Sequence, residues 1–122
     1  MRILIIDDEP DIRRLASISL RRYGGMEVLE AEDGATGLQL AIDAQPDAVL
    51  LDMMMPVMDG PETLAALRAH PATMTIPVVL LSARDLDHQR AFYQAQGALA
   101  IMAKPFNPLT LPGDLTALLG AG

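Results

Sequence analysis

The chain has 122 residues, enough for one domain with a buried core, and 51% of them are hydrophobic, with only two Phe, two Tyr and no Trp. A net charge of −7 leaves no basic stripe for direct contact with nucleic acid, and the absence of cysteine excludes disulfides, thiolate metal sites and a cysteine nucleophile. No apolar run approaches the roughly 20 residues of a membrane span, and segment 3–6 is too short for a signal peptide, so no membrane partner and a cytoplasmic location are expected.

Short apolar runs alternate with stretches of helical period, which predicts βα repeats around a parallel sheet. Strands are expected near 2–7, 26–31, 47–51, 76–81 and 99–103, and helices near 10–23, 34–45, 60–69 and 85–96, with a last one after 107. The first helix places Ile12, Leu15, Ala16, Ser19, Leu20 and Tyr23 on one face, with Pro10 in its first turn and Gly24-Gly25 as its stop. The run from Met26 to Ala31 carries charge and suits an edge strand, whereas the first, third and fourth strands are apolar almost throughout, as strands covered on both faces should be. Asp33-Gly34, Asp59-Gly60 and Gly97 punctuate the remaining connections. Pro108, Pro112 and Gly113 interrupt the closing segment, so the fifth helix is expected to be short or to start late, its pattern resuming with Leu115.

Polar residues stand at four strand ends: Asp7-Asp8, Asp52, Ser82 and Lys104-Pro105. The carboxyl ends of parallel strands share one edge, and ligands bind in the crevice there. Carboxylates brought that close need a cation to stay ionised, and a lysine beside them makes room for an anion. Each residue also has a plainer reading. Asp7-Asp8 suits the positive end of the following helix, although a pair followed by Glu9 is more than a cap requires. Asp52 precedes Met53-Met54-Met55-Pro56, which is not a helix start, so a loop-borne site fits it better than a cap. Ser82 either donates to an anion or caps a helix. Lys104 is the single lysine beside eight arginines, and a compact ammonium suits a phosphoryl oxygen; the alternative is an exposed lysine at a strand end. A cis peptide at Lys104-Pro105 is compatible with the sequence.

Taken in order, Asp7-Asp8, Asp52, Met55-Pro56-x-Met58-Asp59-Gly60, Ser82-Ala83, Gly97-Ala98 and Lys104-Pro105-Phe106 resemble the receiver domain of two-component response regulators, the chemotaxis regulator among them. The resemblance covers essentially the whole chain and implies a single receiver domain over 1–122. It implies a flavodoxin-like three-layer α/β sandwich: a five-stranded parallel sheet of order 2-1-3-4-5 with helices on both faces. It also implies that Asp52 takes a phosphoryl group from a sensor histidine kinase or phosphotransfer protein. By the same resemblance, Asp7, Asp8, Asp52 and the backbone carbonyl of Met54 hold Mg²⁺ or Mn²⁺, Asp7 directly or through water. Ser82, Lys104 and the backbone N–H groups of Met53 and Ala83 bind the phosphoryl oxygens. An output protein or domain then meets the helix 4/strand 5/helix 5 face, with phosphorylation-dependent homodimerisation as a further implication. The protein is then a phosphoacceptor that assists its own phosphorylation and dephosphorylation, not a turnover enzyme. The sequence is expected to be a stand-alone regulator or one domain of a longer protein.

Two departures from that family stand out. Many receivers carry an aromatic three residues before the lysine, where this chain has Ile101. Phe92 and Tyr93 fall on the fourth helix, either packed inward or forming an exposed patch. Two other functions compete. A Mg²⁺-dependent phosphohydrolase with an aspartyl-phosphate intermediate needs an aspartate two residues after its nucleophile, and Met54 stands there. A receiver-like interaction domain that works without phosphorylation is disfavoured by the intact acids, Ser82 and Lys104.

Overall fold

The computed structural model describes residues 1–83 and 89–121. The elements run β1 (Arg2–Ile6), α1 (Pro10–Arg22), β2 (Glu27–Ala31), α2 (Gly34–Ala44), β3 (Ala48–Asp52), α3 (Gly60–Ala69), β4 (Val78–Ser82), α4 (Arg90–Ala95), β5 (Ala100–Ala103) and α5 (Leu111–Ala121). The five strands form one parallel sheet of order β2-β1-β3-β4-β5, so the charged β2 is at an edge, as expected.

Side-chain alternation along the strands builds two cores. Leu4, Ile6, Val49, Leu51, Val78 and Leu80 pack on one face with Ala41, Leu64 and Leu67, from α2 and α3. Ile3, Ile5, Ala48, Leu50, Val79 and Leu81 pack on the other with Ala16 and Leu20 from α1 and Leu111 and Leu115 from α5. Helices therefore cover both faces, giving three layers, and the aliphatic composition follows from strands buried on two sides. Truncating a fully buried residue such as Leu50 in this sheet should cost about 2–5 kcal/mol.

Two helices differ from the sequence expectation, and a third is described only in part. In α1 the buried positions are Ala16, Ser17, Ser19 and Leu20, while Leu15 and Tyr23 are exposed. Small side chains let α1 lie close to its neighbours, and the Ser19 hydroxyl is satisfied by the Pro108 carbonyl. The helix is thus rotated from the purely apolar stripe. The fifth helix starts at Leu111 rather than late, with Pro112 in its first turn, where no backbone N–H is needed. Asn107 supports that start, its side-chain oxygen accepting from Leu109 N–H at 2.9 Å and its carbonyl from Leu111 N–H at 2.9 Å. Of the fourth helix expected at 85–96, the structure gives α4 over Arg90–Ala95; residues 84–88 lie outside the described residues.

The loop from β3 to α3 is tightly built. Asp59 and Glu62 form a reciprocal capping box at the start of α3, Asp59 accepting from Glu62 N–H at 2.9 Å and Glu62 from Asp59 N–H at 3.2 Å. Gly60 comes so near β3 that a Cβ there would lie 2.5 Å from the Asp52 carbonyl oxygen and 2.7 Å from Met53 Cα. Only glycine allows that approach. Val57, at the loop tip, is fully exposed and has φ 67°, a left-handed backbone that β-branched residues resist.

Candidate functional site

The sheet register brings the four polar strand ends together. Asp52 pairs with Leu81 and Ser82 with Ala103, while Lys104 N–H continues the ladder to the Ser82 carbonyl at 2.8 Å. Asp7 N–H likewise donates to the Ala31 carbonyl at 3.1 Å. Residues up to 97 positions apart in sequence thereby reach one another.

Lys104 is the hub. Its ammonium lies 3.2 Å from Asp52 Oδ1, 3.3 Å from Asp7 Oδ2 and 3.0 Å from Glu9 Oε1, with a side chain only 12% exposed. A freely solvated lysine is thus excluded, and the Lys104-Pro105 peptide is cis. Burial acts to lower the Lys104 pKa, but contacts with Glu9, Asp7 and Asp52 outweigh it and hold the ammonium above its ordinary value. Asp52 behaves oppositely. Burial first, and then the Asp7 charge, push its carboxyl up to about 6, against the pull of Lys104 and the Met54 backbone N–H.

One carboxylate oxygen from each of Asp7, Asp8, Glu9 and Asp52 lies within 4.8 Å of the others. Two unit charges at that separation repel by roughly 3 kcal/mol at an effective dielectric constant of about 20, more than Lys104 alone offsets across four acids. The four acids are not equivalent. Asp7 is fully buried, and both its oxygens have partners, Oδ1 accepting from Glu9 N–H at 2.9 Å and Oδ2 from Lys104. Asp8 Oδ1 and Asp52 Oδ2 are buried with no hydrogen-bond partner. Buried, unpaired carboxylate oxygens are costly and call for a cation. Hard oxygen donors on few carboxylates fit a magnesium-type ion.

Asp7 therefore faces the site and holds the turn before α1 through Glu9 N–H, while no side chain caps the helix itself. Arg13 fixes it from outside, Nη1 donating to the Asp7 carbonyl at 2.7 Å while Nε pairs with Glu30 at 3.3 Å. Arg13 falls away from the apolar stripe of α1, and helical periodicity says nothing about where so long a side chain reaches. Glu9, noticed only as surplus to a cap, is a direct partner of Lys104.

The expectation for Met53 needs correction. Its backbone N–H donates to the Leu81 carbonyl at 3.0 Å as part of the β3–β4 ladder, so it does not face an incoming anion. The Met54 N–H instead bears on the Asp52 carboxylate, helping to hold its pKa down. Met53 and Met55 are buried and Met54 is 63% exposed at the mouth, so the methionine run is part core and part rim. Ser82 is buried, its hydroxyl donating to Gln89 Oε1 at 3.1 Å. Ser82, Ala83, Gln89, Met54 and Tyr93 share a cleft of about 380 Å³. Phe92 is exposed and Tyr93 half-buried against the core, their rings edge-to-face at 4.9 Å, so the pair divides between the two alternatives. Ile101 is buried in the α2/α3-side core.

Comparison with known proteins agrees with this geometry. The response regulator receiver domain family matches residues 3–115. Protein PilH of Pseudomonas aeruginosa is 34% identical over 97% of this chain and 97% of its own length. The transcriptional regulatory protein PrrA of Mycobacterium tuberculosis is 40% identical over 97% of this chain but 49% of its own length. The DNA-binding dual master transcriptional regulator RpaA of Synechocystis sp. is 39% identical over 97% of this chain and 48% of its own. The chain thus spans about half of these two longer relatives. Among solved structures, the chemotaxis response regulator CheY4 of Vibrio cholerae superposes with a TM-score of 0.88 at 33% identity, covering 96% of this chain and 97% of that one. The chain belongs to the response regulator receiver domain family, the phosphoacceptor signalling modules of two-component systems.

Proposed function

We propose that residues 1–122 form one receiver domain in which Asp52 is the phosphoryl acceptor. The observation that carries this is the buried, unpartnered Asp52 Oδ2 beside Lys104 and the acidic cluster. In the reaction, an Asp52 carboxylate oxygen attacks the phosphorus of a phosphohistidine on a sensor kinase or phosphotransfer protein. A P–O bond forms, the P–N bond breaks, and the imidazole leaves with its electron pair and takes up a proton. Lys104 keeps Asp52 ionised before transfer and offers its positive charge to a phosphoryl oxygen afterwards. Ser82 and the backbone N–H groups of Met54 and Ala83 are the neutral donors.

The Asp8 and Asp52 carboxylates and the Met54 backbone carbonyl would hold Mg²⁺ or Mn²⁺. Asp7, whose oxygens already have partners, would join through water. Such an ion supplies positive charge that offsets the carboxylates and the phosphoryl oxygens. The protein is consumed stoichiometrically and assists its own phosphorylation and dephosphorylation. A phosphohydrolase is not favoured, because Met54 carries no titratable group at the position where that chemistry needs an acid.

For output, the face formed by α4, β5 and α5 suits a protein partner or a second copy. Here a cleft of about 520 Å³ between β5 and α5 is lined by Met102, Phe106 and Leu118. No described helix is long and apolar enough to cross a membrane, which accords with a cytoplasmic regulator. Intact-mass analysis after treatment with acetyl phosphate and Mg²⁺ should show one labile phosphate, lost in Asp52→Asn and on removing the metal. Phosphate that persists in Asp52→Asn would move the acceptor elsewhere.

A further inference from the structure

The Ser82 hydroxyl is already engaged. It donates to Gln89 Oε1 at 3.1 Å, and both residues line the same cleft. Gln89 immediately precedes α4, and its own carbonyl accepts from Tyr93 N–H at 3.0 Å inside that helix. One carboxamide therefore ties the end of β4 to the start of α4. A serine hydroxyl carries a single proton. If Asp52 is the phosphoryl acceptor, on which this inference rests, a phosphoryl oxygen and Gln89 both claim that proton, and only one can have it.

We propose that Gln89 is a positioning residue that holds the Ser82 hydroxyl in the unphosphorylated protein, competes with the phosphoryl group for it, and is released when Asp52 is phosphorylated. Two asymmetries make this an exchange rather than a block. The bond to a phosphoryl oxygen is charge-assisted, roughly twice as strong as the neutral bond to a carboxamide. Ser82 is 2% exposed, so its hydroxyl must donate to something, whereas half-buried Gln89 can turn its carboxamide to water when let go. Phosphorylation then loosens a tether on α4 in the same step that orders Ser82. The geometry adds a consequence for the resting state: Gln89 makes the phosphorylated form harder to reach.

The test is affinity for beryllofluoride, a phosphoryl mimic, in the presence of Mg²⁺, using the full chain. Gln89→Met keeps length and removes the acceptor, and Gln89→Leu is a second variant of the same kind. Each is made with Ser82 present and with Ser82→Ala. Losing the competing bond should tighten mimic binding about 2- to 10-fold, the worth of one neutral hydrogen bond. In the Ser82→Ala background the same substitutions should change nothing, because the disputed proton is gone. A merely structural role for Gln89 would show equally in both backgrounds. Unchanged or weaker binding in both Gln89 variants, or a gain that survives Ser82→Ala, overturns the proposal while leaving Asp52 as acceptor. Wild-type protein that binds no beryllofluoride and takes no phosphate from acetyl phosphate overturns the reading of Asp52 and this inference with it.

Discussion

Asp52→Asn in metal-free protein isolates the electrostatic strain of the site. The Asp52 carboxyl is held at about 6 instead of its ordinary 3.8, chiefly by burial and then by Asp7. At 1.36 kcal/mol per pH unit, that difference corresponds to about 3 kcal/mol. A raised carboxyl pKa means that the folded state holds its proton where the unfolded chain has lost it. Its stabilising effect is therefore full below pH 3.8 and is lost as pH rises to about 6. Above that, the ionised Asp52 burdens the fold by the whole amount. Because the residue is only 2% exposed, solvent screening does little to reduce the figure. Asparagine has nearly the same shape and no charge. Asp52→Asn should therefore be only slightly more stable than wild type at pH 4 and about 3 kcal/mol, roughly 10 °C in Tm, more stable at pH 8. Urea unfolding in EDTA across that range measures the difference, and comparing the two proteins at each pH cancels the other carboxylates. Adding Mg²⁺ should stabilise wild type and leave Asp52→Asn almost unmoved. A difference that stays flat from pH 4 to 8, or an Asp52→Asn protein less stable at pH 8, would refute the claim that burial and Asp7 strain this carboxylate.

Two further outcomes follow from the same coordinates. Asp8→Ala should lose most Mg²⁺ affinity by calorimetry yet melt no lower than wild type without metal, since Asp8 Oδ1 has no partner to lose; a large metal-free loss with affinity intact would make Asp8 a structural cap. Val57→Gly should raise stability by about 1 kcal/mol in urea titrations, because glycine accepts φ 67° without a Cβ penalty; a loss of stability would mean that the loop does not hold Val57 in that conformation.

How much of this was legible in the sequence differs between levels. The parallel sheet and its strand-end cluster were legible because apolar runs and the polar residues that end them are local features, and parallel topology places their ends on one edge. The rotation of α1 was not, because Ser17 is buried through close packing rather than hydrophobicity while Leu15 and Tyr23 are exposed. The α3 capping box lay in plain view as Asp59-Gly60-Pro61-Glu62, but Asp59-Gly60 was read as a turn and as part of a family motif, not as a cap. The start of α5 was obscured because Pro112 and Gly113 look like breakers until the first-turn position is known. The Met53 N–H was misassigned because resemblance gives residues, while only the ladder shows that this donor already serves Leu81. Arg13 and Gln89 were missed for one reason: each acts through the far end of a flexible side chain, which no periodicity reports.

Ile101 bears on how a change at Asp52 travels outward. It is 5% exposed and packed in the same core as Leu80 and Ala98, with Tyr93 against that core. A β-branched side chain so confined has few alternative rotamers, so Ile101 is a stiff packing element. If Asp52 is phosphorylated as proposed, a route would run from the phosphoryl oxygens to Ser82, which already bonds Gln89, and from Gln89 to α4. That helix carries Tyr93 half-buried and Phe92 59% exposed, so a small displacement alters both a core contact and the outer surface. A bias of 1–3 kcal/mol is typical of useful coupling between sites, and exchanging a neutral hydrogen bond for a charge-assisted one is of that size. With Ile101 in place of an aromatic, the proposed switch would then work through the fourth helix rather than the fifth strand.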